Sequence, residues 1–156
     1  MIINSSTFGE LKVSQDKIIT FSPAIPGFDS GERYFIFTDD ENETNEGEHL
    51  FCWLHSADDE DLAFALLDVL KIKDDYQPEI EEEYLKMLLY EEGDIINVYN
   101  IVNIPENVKD MTVNLLAPLV INFTKMRGMQ VILESGKYKL KHKIFEELNK
   151  AGKEVV

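Results

Sequence analysis

Cys52 and His55, in the stretch FCWLHS, have the spacing of half a zinc site. Tetrahedral zinc needs four ligands, and no second Cys/His pair is present to complete them. A lone cysteine beside Trp53 reads as core. Residues 39–49, DDENETNEGEH, imitate a calcium loop, with Asn42, Thr44, Glu46 and Gly47 at positions 1, 3, 5 and 6 of an EF-hand. Position 12 is then Trp53, where a bidentate glutamate is required, and the calcium reading fails there. His49, His55 and His142 are scattered, no serine sits in a Gly-x-Ser-x-Gly elbow, and there is no glycine-rich phosphate loop. Carboxylates abound, but most stand in runs, Asp58–Asp59–Glu60–Asp61 and Glu81–Glu82–Glu83, that read as solvent faces. The residues therefore imply no metal, no cofactor and no catalytic set. The rival reading is a small hydrolase or ligand-binding β-barrel using surface carboxylates.

Composition narrows the field. At 156 residues and 44% hydrophobic, the chain is expected to form one compact domain. A single cysteine permits no intrachain disulfide and suits a reducing compartment. The N-terminus, MIINSSTFGELKV, has no basic and apolar leader, and no run approaches the ~20 apolar residues of a membrane span, so a soluble cytoplasmic protein is expected. The net charge of −15 opposes direct binding to nucleic acid, whose phosphates are met by lysine and arginine. Charge is unevenly placed: residues 137–156 hold six lysines against three glutamates, and residues 1–136 carry −18.

The elements that must position any site are mostly short strands. Apolar runs recur at residues 2–4, 10–13, 17–22, 33–38, 50–54, 95–103, 112–122 and 129–134, with turn residues between them. That pattern predicts a mainly β (β-rich α+β) domain, a sandwich or small barrel, with one or two short helices. Pro26-Gly27 fits the centre of a type II turn. Residues 79–91 predict a helix burying Ile80, Tyr84, Met87 and Leu88, and residues 142–151 a second. Residues 62–69 are ambiguous between helix and strand. In residues 95–104 the even positions form the apolar face and the odd positions a wetter side.

The stretch MTVNLLAPLVIN, residues 111–122, is the least ordinary. Its odd positions, Val113 to Ile121, are all apolar and predict a core face. Its even positions carry Asn114, Leu116, Pro118 and Asn122, and buried amides need partners for every donor and acceptor. Either these residues bond to neighbouring loops, or that side is available to a partner.

Those motifs resemble a known family. STFGELKV, FSPAIPGF, FCWLHS, LAF, IVNIP, MTVNLLAPLVIN and GMQVIL follow the order and spacing of the flagellar assembly factor FliW family, over about residues 7–138. The chain departs from the family pattern at Ala24, His55, Val69 and Asn103. The resemblance implies a single small β-barrel-like domain over residues 1–138, with a lysine-rich helix or tail at 139–156, and no catalysis. It also implies two partners, flagellin and the RNA-binding translational repressor CsrA, which the flagellin-free factor binds and antagonises. Phe28, Asn114, Leu116, Pro118 and Asn122 are the expected partner contacts. Asp58, Asp59, Glu60, Asp61, Glu81, Glu82 and Glu83, with the run at 39–48, are expected to repel RNA from a bound repressor through space.

Overall fold

The computed structural model describes residues 1–28, 31–38 and 50–150. The acidic run at 39–49, and with it the calcium-like register, lies outside the described residues. Short, largely continuous apolar runs form β3 (Ile19–Phe21), β4 (Arg33–Phe37), β5 (Phe51–Ser56) and β6 (Ala63–Leu67), and a more mixed run forms β7 (Ile96–Asn103). From β4 on, each is antiparallel to the one before. β9 (Leu119–Asn122) pairs with β7, and β10 (Arg127–Gln130) pairs with β9. β10 then lies parallel to β3, with Arg127 opposite Thr20, and this pairing shuts a seven-stranded barrel. Closure removes the open edges that an antiparallel sheet of this size would otherwise expose. The protein is thus mainly β, as the sequence predicts, with two short helices, α1 (Glu82–Met87) and α2 (Phe145–Lys150).

One apolar cluster fills the barrel: Ile19, Phe21, Tyr34, Cys52, Leu54, Phe64, Leu66, Leu119 and Ile121. Gly128 sits where β10 crosses Phe21, and a Cβ there would stand 2.7 Å from the ring carbon Cζ. Phe21 is fully buried and cannot swing away. Gly128→Ala is therefore expected to cost about 1–3 kcal/mol by overpacking, read from urea unfolding.

Two further clusters cover the outside. The hairpin of β1 (Ile2–Ser5) and β2 (Gly9–Lys12) lays Ile3 and Leu11 over Phe35 and Phe37. On the far side, Leu67, Val102, Met111, Val113, Leu115, Val120, Met129, Ile144 and Leu148 form a second core around the outward residues of β6, β7, β9 and β10. β8 (Thr112–Val113) and β11 (His142–Lys143) extend the sheet beyond β7, and Ile144 and Leu148 pack into the outer core.

Several expectations change. Residues 112–122 are two strands, not one. Pro118 cannot donate to a ladder, and the bend at 114–118 sends its backbone elsewhere: Leu115 and Leu116 donate to Lys139 O, and Leu116 O and Pro118 O accept from Leu133 and Val131. Its odd positions consequently serve two cores, Val113 and Leu115 outside the barrel, Leu119 and Ile121 inside. In β7 the odd side is the wetter one, as the sequence predicts: Asn97 and Asn103 are exposed, while Tyr99 and Ile101 are half-buried against the barrel interior. Residues 63–67 are a strand because the slot between β5 and β7 outweighs the helical preference of leucine and alanine. Strand β10 starts at Arg127 and ends at Gln130, earlier than the 129–134 run.

The first helix is six residues, not thirteen. Ile80 precedes it, and Tyr84 and Leu88, one turn apart, face the outer core; Met87 falls outside that stripe and is exposed. The second predicted helix begins at Phe145, because His142 and Lys143 pair with β8 instead.

Candidate partner-binding surfaces

Asn122 ends β9 with no exposed surface. Its Nδ2 donates to Leu88 O at 3.1 Å and to Asp94 Oδ2 at 2.9 Å. Its Oδ1 accepts from the amides of Thr124 and Lys125. The amide is fully used. Asp94 Oδ2 also accepts from Glu91 N at 3.0 Å and from Lys125 Nζ at 3.0 Å. These donors, Asn122 foremost and Lys125 last, hold the Asp94 carboxyl below the usual aspartate range. Lys125 also reaches Leu89 O, so the 88–95 loop is pinned to the β9–β10 turn. Neither Asp94 nor Lys125 stood out in the sequence. Asn122-Phe123-Thr124 could have flagged them, since an asparagine after a strand often folds its side chain onto the next amides.

Asn114 organises the bend. Its Oδ1 accepts from Ala117 N at 2.9 Å, and its carbonyl accepts from Asn100 Nδ2 at 2.8 Å. Asn100, fully buried, donates its other proton to Tyr76 Oη, which donates to Leu115 O. Burial pushes the Tyr76 phenol up to about 12, which keeps that donor proton in place. The structure thus brings Asn114, Leu116 and Pro118 into one bend. Pro118 and Asn122 are buried within the domain and in this conformation offer no surface to a partner. Asn114 and Leu116 are half-buried. Phe28 sits apart, exposed, with its ring edge-on to Phe64 at 4.9 Å. It follows the expected turn: Gly27 has φ +86°, and Phe28 N donates to Ile25 O.

The acidic runs differ from each other. Residues 58–61 are a folded turn, in which Arg33 pairs with both Asp58 oxygens and Asp59 Oδ1 accepts from Asp61 N. Ser56 Oγ accepts from the amides of Asp58 and Asp59. Glu60 and Asp61 are exposed. Glu81, Glu82 and Glu83 are all exposed at the start of α1, and repulsion from Glu134 above all, then a hydrogen bond with Glu83, pushes the Glu81 carboxyl up. Glu79, Glu81, Glu134 and Lys137 line a surface groove of about 260 Å³ with Gln77 and Tyr138.

Strand pleating separates Cys52 from His55. Cys52 points into the barrel, where burial raises its thiol to about 12. His55 faces the N-terminal hairpin: Nδ1 donates to Ser56 O at 2.7 Å, so Nε2 accepts from Ser5 Oγ at 2.8 Å. Ser5 Oγ in turn accepts from Thr7 N and Phe8 N, and His55 stacks on Phe35. Among the described residues no group of three His, Cys, Asp or Glu side chains is placed to hold a metal.

A sequence profile of the family described as "FliW protein" matches residues 2–144. The chain belongs to the FliW family. It is 39% identical over 150 residues to the flagellar assembly factor FliW of Alkaliphilus metalliredigens, covering 96% of this chain and 90% of that protein. It is 38% identical over 151 residues to that of Caldanaerobacter subterraneus, covering 97% of each. A crystal structure titled as the flagellar assembly factor FliW superimposes with a TM-score of 0.82 at 27% identity, covering 93% of this chain and 97% of the other. The family match runs past β11, and the 111–122 block is where the barrel meets the outer core. No helix among the described residues is long and apolar enough to cross a membrane.

Proposed function

We propose that this chain is a non-enzymatic flagellar assembly factor of the cytoplasm. It binds flagellin and, when free of it, binds the repressor CsrA and relieves repression of flagellin synthesis. The family match over residues 2–144 carries the reading. The filled barrel supports it: the interior is packed with apolar side chains, and Cys52, the one thiol inside, stays protonated. Phe28 and Leu116, with Asn114 between core and surface, are the flagellin contacts in this reading, because flagellin termini are amphipathic and these residues keep accessible apolar area. The exposed carboxylates, chiefly Glu60, Asp61 and Glu81–Glu83, act on RNA held by the repressor.

The test is a pull-down of this chain with purified flagellin and purified repressor, each alone and then in competition. Each should be retained alone, and flagellin should release the repressor. Retention of neither would sink the reading.

A further inference from the structure

The turn that follows α1 spends backbone energy without any packing return. Leu89 N donates to Lys86 O, and Tyr90 N donates to Leu85 O at 2.9 Å, the paired bonds of a Schellman helix stop. The residue between Leu88 and Tyr90 must then take the left-handed conformation, which glycine adopts without penalty. Here it is a leucine, at φ +57°. The other non-glycine residue in that region among the described residues, Met126, packs against the barrel cluster, and its carbonyl accepts from Thr20 N. Leu89 joins none of the apolar clusters and is 50% exposed.

Its neighbours share that exposure. Met87, at the end of α1, and Tyr90 and Ile95 after it are 47%, 41% and 65% exposed, so with Leu89 the segment presents four large, mostly apolar side chains to solvent. The loop is also held still. Lys125 Nζ bonds Leu89 O, Asp94 accepts from Glu91 N, Asn122 and Lys125, and Ile95 N donates to Thr124 Oγ1. A rigid apolar knob built on a strained residue is the geometry of a preorganised contact. Charge indicates what it meets. Of the carboxylates in residues 79–94, Glu91 and Asp94 pair with Lys125, while Glu82, Glu83 and Glu92 stay exposed against Lys86, so the segment is net acidic and favours a basic surface.

We infer that the Leu89–Tyr90 turn is the docking knob for a basic, RNA-binding protein partner, entering an apolar depression ringed by lysine and arginine. The inference rests on the partner-switch reading above and assigns the repressor, not flagellin, to this face. It gives Asn122 a purpose beyond the core: a buried amide that fixes an exposed contact loop.

Leu89→Gly separates contact from fold, because glycine keeps the turn and relieves it. The thermal midpoint should stay level or rise. Affinity for purified repressor, measured by calorimetry, should fall by about tenfold or more. Affinity for purified flagellin should not change. Tyr90→Ser should weaken the repressor likewise, and Ile132→Ser, which alters a 60% exposed residue outside the loop, should not. Wild-type repressor affinity in Leu89→Gly would overturn the inference alone. A loss of flagellin binding as large as that of the repressor would overturn the assignment to the basic partner. A wild-type chain that binds neither would overturn the functional reading and the inference with it.

Discussion

Replacing Asn122 with alanine should destabilise the domain by about 3 kcal/mol, because one truncation leaves several buried groups unpaired at once. The amides of Thr124 and Lys125 lose their acceptor, and Leu88 O loses a donor. Asp94 loses the largest influence that keeps its carboxyl low. The pH dependence follows in sign. A carboxyl whose folded pKa is depressed adds stability above its unfolded pKa, and that stability fades as pH falls through the folded value. The gap between wild type and Asn122→Ala should therefore be widest near neutral pH and narrow in acid, below the ordinary aspartate range. Asn122→Asp provides a check, since it sets a second carboxylate against Asp94 Oδ2 and should be worse than alanine at pH 7 but recover on acidification. Urea unfolding of the three proteins across pH reads all of this. A gap that stays constant with pH would mean that Asp94 is not coupled to Asn122.

Much of the barrel was legible because short apolar runs bounded by turn residues are a local signal. β1 to β5 and β7 fall within about two residues of the predicted runs. The type II turn at Pro26-Gly27 follows from φ preferences alone. What failed needed knowledge of neighbours. The bend at 114–118 is set by Lys139 and Leu133, which lie far along the chain. The candidate site was legible in type but not in role. The amides of Asn114 and Asn122 were visible as odd, yet only their partners show that Asn122 is fully used inside the domain while Asn114 caps the bend and stays half-buried. Leu89 gave no signal at all, since a leucine after a helix is ordinary until its φ is known.

Charge and contact should separate by experiment in the partner switch. In the proposed switch the Leu89 knob would supply affinity by apolar burial, which salt barely changes, whereas carboxylates would govern approach and the exclusion of RNA. Of the two acidic runs, residues 58–61 are partly committed to the fold, with Asp58 paired to Arg33 and Asp59 turned onto the Asp61 amide. Glu81, Glu82 and Glu83 are exposed, and Glu81 is already crowded by Glu134. The triple change Glu81→Gln, Glu82→Gln, Glu83→Gln should therefore weaken displacement of RNA from the repressor by about tenfold at low salt, where the Debye length is long. Repressor affinity without RNA should fall much less, and the difference between triple variant and wild type should shrink as salt rises. Asp58→Asn should instead lower the thermal midpoint slightly, with displacement little changed, because its charge is already met by arginine. Competition binding with labelled RNA at two ionic strengths measures both effects. If the triple variant displaces RNA as well as wild type at low salt, through-space repulsion plays no part, and the repressor must release RNA through a change in its own shape.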